Sequence, residues 1–147
     1  MYAGLLAFPR SKIASTTQQV KYYYPASGDD SLLEAKGGIF DGWHCITVEE
    51  EIYAISKGTT GLKTWEASLR LAAHLVARPE ILARKDIVIL ELGSGSGFLG
   101  ALLAKQAKQA HIHLTDRDGI VLEYLQRTID KSEWLVEKVA LAVQSLK

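Results

Sequence analysis

The sequence predicts an α/β chain in which helices flank a partial parallel sheet, preceded by an irregular stretch with short β pieces. Three observations carry this reading. Ile87–Leu92 is a short, unbroken, β-branched apolar run that closes on glycine; helical periodicity follows it at once; and a second strand-then-helix pattern runs from Ile112 to Ile129. The chain divides into an N-terminal extension, 1–57, with a possible short β-hairpin, and a partial sheet-and-helix domain, 58–147.

With 147 residues and 48% hydrophobic content the chain has room for one packed core. Lys plus Arg and Asp plus Glu balance at 17 each, so no whole-chain field gathers nucleic acid or an anionic membrane. A lone cysteine, Cys45, excludes an intramolecular disulfide and a multi-cysteine zinc site, which makes the cytoplasm the default compartment. Met1–Pro9 is apolar but short, lacks a basic leader and shows no cleavage pattern, so it does not read as a signal peptide. No apolar run approaches the ~20 residues that cross a bilayer, and the chain reads as soluble.

From Tyr2 to Gly42 neither period is sustained, and the stretch reads as irregular. Between Trp43 and Ile55, β-branched clusters flank Glu49, Glu50 and Glu51, which suggests two short strands around a solvated acidic turn. Gly58 and Gly61 mark a loop. Trp65, Leu69, Ala72, Ala73 and Val76 then repeat at helical spacing, so a helix is expected from about Thr64 to just before Pro79, which itself can start a short turn through Leu82. The run Ile87–Leu92 reads as a strand buried on both faces. Gly97–Lys108 shows Phe98, Leu99, Leu102 and Leu103 on one face and polar residues on the other, the pattern of a helix lying back on the sheet. Ile112 and Leu114 alternate with His111 and His113 as a second strand, and Asp118 can cap a helix carrying Ile120, Leu122, Tyr124, Leu125 and Ile129. The tail, 132–147, fits helical spacing at Leu135, Val139, Ala142 and Leu146 but also alternates at Val139, Leu141 and Val143; helix is the preferred reading.

The strongest chemical signal is E-L-G-S-G-S-G, Glu91–Gly97, at the junction of strand and helix. Glycines there let the backbone turn sharply and approach a ligand, while amides at the helix start face a polar or anionic group. Asp116 ends the next strand, at the step where an acid in such folds accepts hydrogen bonds from ribose hydroxyls. The pair describes a nucleoside site. The overlapping G-S-G-F-L-G, Gly95–Gly100, satisfies a dinucleotide fingerprint, so a dinucleotide-binding oxidoreductase domain stays open as an alternative. Glu91 favours S-adenosylmethionine, because a carboxylate suits the ammonium of a methionine moiety and would repel a pyrophosphate. The plainer reading is that Glu91 and Asp116 merely end strands and cap helices. Gly100 needs no ligand, since it lets the helix pack closely on the sheet.

The segment G-T-T-G-L-K-T-W-E-A-S, Gly58–Ser68, followed by E-L-G-S-G-S-G and L-T-D, resembles the seven-strand protein-lysine methyltransferases, in particular the branch that modifies eukaryotic elongation factor 2. The likeness runs from about Ile46 through Ile129. It implies a Rossmann-like S-adenosylmethionine methyltransferase fold and a protein substrate. Carried over by position, it implies that Trp65 lies at the cofactor, that Gly93, Ser94 and Gly95, with Gly97, form the loop beneath it, that Asp116 holds its ribose, and that Glu91 lies near its methionine end. From periodicity alone Trp65 reads as a core residue on the stripe with Leu69 and Ala72.

The sequence also departs from the family. A strand ending in an acid-tryptophan pair, and a later one ending in an acidic and aromatic substrate motif, are not found; Trp134, in S-E-W-L-V-E-K, reads as packing. The expected function is therefore a protein-lysine N-methyltransferase or a fragment of one, with an inactive binding or regulatory remnant as the alternative, and a sheet edge at Ile87–Leu92 that needs a covering partner. No catalytic group is assigned. His111 and His113 lack a third ligand and read as structural or exposed rather than metal-binding. Tyr22, Tyr23 and Tyr24 read as loop packing, because a nucleic-acid stacking platform needs a basic groove.

Overall fold

Alternating β-branched and aromatic side chains build the first two elements. The computed structural model describes residues 16–25, 43–107, 109–132 and 139–141. β1 (Thr17–Pro25) pairs antiparallel with β2 (Trp43–Glu51), with Tyr22 opposite Ile46 and Val20 opposite Val48. Three expectations are corrected here. The stretch expected to be irregular contains a nine-residue strand. Its partner runs unbroken through the three glutamates, so Glu49–Glu51 is the end of one strand and not a turn between two. Tyr22 and Tyr24 face the core from this strand, Tyr22 against the ring of Phe98 and Tyr24 beside His44, instead of packing in a loop.

α1 (Glu66–Val76) and α2 (Pro79–Leu82) follow, broken at Arg78 just before the proline as the ring geometry requires. β3 (Ile87–Leu92) then leads through the glycine loop into α3 (Phe98–Gln106), and β4 (Ala110–Thr115) into α4 (Gly119–Asp130). Asp118 caps α4 by accepting from the Ile120 amide. α3 is not the one-faced helix that its sequence suggests: every residue from Phe98 to Ala104 is buried, with the sheet on one side and β2 and α1 on others.

β3 and β4 run parallel, and a third parallel strand, β5 (Val139–Leu141), joins the far side of β4. The helical reading of the tail is thereby corrected at these three residues: the alternation there wins because it continues a sheet already begun. Trp134 lies outside the described residues. Among the described residues β3 forms an edge, and the expectation of a strand buried on both faces does not hold. Ile87, Ile89 and Glu91 turn toward the helices, while Val88, Leu90 and Leu92 stay 65%, 60% and 68% exposed. His111 and His113 pair with Val88 and Leu90 on this bare side. Among the described residues no three His, Cys, Asp or Glu side chains cluster as metal ligands, and no helix is long and apolar enough to cross a membrane.

The close packing expected at Gly100 is present. A methyl built there would collide with the buried side chain of Leu114 and meet Glu91 Oε2 at 3.0 Å. Gly100→Ala is expected to cost about 1–3 kcal/mol through overpacking, read as a lower urea midpoint with an unchanged slope.

Candidate functional site

Gly93, Gly95 and Gly97 all adopt positive φ, at 71°, 54° and 79°, a backbone that side chains with a Cβ rarely enter. At Gly95 there is a second reason for glycine: a Cβ would stand 3.1 Å from the Gly61 carbonyl, so the loop before α1 lies directly against the glycine loop. Gly93 is the opposite case. Nothing lies within 4 Å of its missing Cβ, which leaves its backbone open to an approaching molecule.

Two side chains fix the loop to the end of β4. Ser94 is buried; its amide donates to the Thr115 carbonyl at 2.8 Å, and its Oγ accepts from the Thr115 amide at 3.1 Å. Thr115 Oγ1 in turn donates to the Glu91 carbonyl at 2.8 Å. Asp116, half-buried at the strand tip, accepts from the Gly95 amide through Oδ2 at 3.1 Å and from the Asp118 amide through Oδ1 at 3.0 Å. The serine thus acts as a staple, and the aspartate meets the loop itself.

The remaining expected residues are distributed around this contact. Gly97 is the N-cap of α3, where a methyl would strike Leu125, so its place is a packing contact between α3 and α4. No side chain caps α3, while the loop amides of Ser94, Gly95 and Gly97 are bonded to Thr115, Asp116 and Ser94 in turn. Glu91 lies on the helix side of β3, under the first turn of α3. Burial pushes its carboxyl up to about 7, with the Gly100 amide pulling back, and Oε2 has no well-formed hydrogen-bond partner. It shares a groove of about 580 Å³ with Gly93, Leu92, Leu71 and Leu75 that does not include Asp116. No hydrogen bond joins Glu91 and Asp116; the side-chain partners of the aspartate are the amides of Gly95 and Asp118. Trp65 is 60% exposed, not in the core; it is the N-cap residue of α1, and its Nε1 donates to the Thr60 carbonyl at 3.1 Å.

Sequence reasoning missed the glutamates behind the loop. Glu49 pairs with Arg127 on α4 at 3.0 Å and with Lys131, the residue that caps its C-terminus. Glu50, 1% exposed, accepts from Tyr22 OH at 2.8 Å and Thr64 Oγ1 at 2.5 Å. Burial pushes the Tyr22 phenol up to about 12; Thr64 pulls it back and Glu50 adds to the rise, so it remains a donor at neutral pH. Glu51 is fully buried, accepts from Tyr124 OH and forms an ion pair with Lys57 at 3.2 Å. One signal was available: continuing the alternation of Ile46 and Val48 sends Glu50 to the buried face.

A parallel sheet whose strand ends present an open glycine turn, a carboxylate on a loop amide and an uncapped helix start has the parts of a nucleoside-cofactor cradle. The comparisons with known proteins narrow that class. A family model described as lysine methyltransferase matches residues 45–147, and the chain belongs to this family. It is 36% identical over 126 residues to the protein-lysine N-methyltransferase EFM3 of Chaetomium thermophilum, covering 84% of this chain and 34% of that protein. It is 36% identical over 102 residues to the human protein-lysine N-methyltransferase EEF2KMT, covering 69% of this chain and 28% of the relative. The chain thus spans about a third of the length of these curated relatives.

Proposed function

We propose that this chain forms the S-adenosylmethionine-binding part of a protein-lysine N-methyltransferase whose substrate is elongation factor 2. The observation that carries the reading is the contact of Asp116 with the Gly95 amide beside the open backbone of Gly93. The residues fit the cofactor chemically. The buried, unpartnered Oε2 of Glu91 is an acceptor suited to an ammonium, and Asp116 has lone pairs left for ribose hydroxyls. Trp65 would offer an exposed aromatic surface beside the cofactor, and Gly93, Ser94, Gly95 and Gly97 would shape the backbone beneath it.

When bound, S-adenosylmethionine supplies a sulfonium methyl for direct displacement by a neutral lysine amine. The contribution of these residues is to bind and orient: Asp116 and Glu91 would hold the two ends of the cofactor so that its methyl points one way. The relatives are protein-lysine N-methyltransferases by name, which supports the acceptor class.

Calorimetric titration with S-adenosylhomocysteine tests the reading. Wild type is expected to bind, and Asp116→Ala to bind at least about tenfold more weakly, the worth of charge-assisted hydrogen bonds to ribose. No heat with wild type, equal binding by the variant, or tight binding of a nicotinamide dinucleotide alone would overturn it. Incubation with elongation factor 2 and labelled S-adenosylmethionine then separates an enzyme, which labels a lysine, from a binding remnant, which does not.

A further inference from the structure

A buried relay joins the hairpin to the glycine loop. Thr64 Oγ1 stands 2.5 Å from Glu50 Oε1 and 2.6 Å from Ser96 Oγ. A hydroxyl has one proton, and the carboxylate can only accept, so Thr64 donates to Glu50 and Ser96 must donate to Thr64. With Thr64 donating to Glu50 the chain runs from Ser96 through Thr64 to Glu50, and Tyr22 donates to the same Glu50 oxygen from β1. Ser96 is 4% exposed and sits between Gly95 and Gly97, the residues whose left-handed backbone sets where the loop amides point. Thr64 immediately precedes Trp65, the start of α1.

We infer that Thr64 and Glu50 are positioning residues for the cofactor loop, acting through Ser96 to hold the Gly95–Gly97 backbone in its binding form. This rests on the cofactor reading above, and it adds residues that touch no ligand. Glycines at positive φ have little intrinsic preference for one conformation, so a loop with three of them needs an external restraint. Asp116 restrains it from the β4 side, at Gly95. Ser96 is the corresponding restraint from the α1 side, and it holds only while Thr64 accepts. Glu50 supplies the acceptor that keeps the threonine proton pointed away from the loop.

Affinity for S-adenosylhomocysteine and thermal stability, measured on the same full chain, provide the test. Thr64→Val keeps the shape but can neither donate nor accept; it is expected to weaken binding about tenfold, the worth of one hydrogen bond. Thr64→Ser, which restores the hydroxyl, is expected to bind within about twofold of wild type. Ser96→Ala cuts the relay at its other end, should show the same loss, and serves if Thr64→Val does not fold. The double variant should bind no worse than either single one, because both remove the same restraint. A merely structural role predicts lower melting temperatures with unchanged affinity. Wild-type binding with unaltered affinity in Thr64→Val or Ser96→Ala would overturn this inference and leave the cofactor reading standing, whereas no binding by wild type would overturn both.

Discussion

Glu51→Ala is expected to destabilise the protein by about 3 kcal/mol at neutral pH, the lower end of the cost of breaking a buried pair, because the half-exposed Lys57 can return to water. The variant leaves the Tyr124 hydroxyl, buried on α4, without its acceptor, and removes a tie between β2, α4 and the loop at Lys57. Desolvation alone would raise the carboxyl of Glu51. Hydrogen bonds from Thr16, Tyr124 and Lys57 outweigh it and hold the group at about 2, against an ordinary value of 4.5. The folded pKa lies below the unfolded one, so this stabilisation is fully present above pH 4.5 and is lost as pH falls toward 2. Urea unfolding at pH 7 and again near pH 3 checks both parts: the gap between wild type and variant should be wide at the first and narrower at the second. A gap that did not change with pH would show that packing, not the charge, accounts for the loss.

Glu91→Gln should act in the opposite direction. Burial holds this carboxyl at about 7, above its ordinary 4.5, so the folded protein binds the proton more tightly than the unfolded chain. Stability contributed by the protonated form is complete below 4.5 and declines as pH rises to about 7, beyond which it stays low. The neutral amide of glutamine escapes that decline. It is expected to stabilise the protein by about 2–3 kcal/mol at pH 8 and to leave it nearly unchanged at pH 4.5. The same substitution should weaken S-adenosylhomocysteine binding, since an amide cannot pair with an ammonium as a carboxylate does. Equal melting curves for wild type and variant at pH 8 would contradict the burial of this group.

Much of the central fold was legible because each of its signals is local. Ile87–Leu92, the glycines after it, Pro79 as a helix stop and Asp118 as a cap each act within one turn or one strand, and the structure has them where the residues say. The strand at Thr17–Pro25 and the unbroken run of its partner through Glu49–Glu51 were illegible for the converse reason. A glutamate triplet reads as solvated until partners from Tyr22, Thr64, Tyr124 and Arg127 are brought up by elements distant in sequence. The bare side of β3 was hidden likewise, since an apolar run reports hydrophobicity and not which neighbour covers it. At the site, the glycine loop and the position of Asp116 at the end of the next strand followed from spacing, whereas the bond from the Gly95 amide to Asp116 did not. The direction of Glu91 under α3, and of Trp65 into solvent, depended on packing that no spacing encodes.

Side chains alternate along β2, so Glu50 is sent to hydroxyls on one side while Glu49 and Glu51 meet cations and a phenol on the other. Slipping the strand by one position would exchange these addresses, taking Glu50 away from its hydroxyl partners and sending Ile46 and Val48 to the opposite face. A buried charge left unmatched costs several kcal/mol, more than most errors of shape. Three adjacent acids therefore proofread the pairing of β1 with β2, and the readers are α4 and the turn before α1.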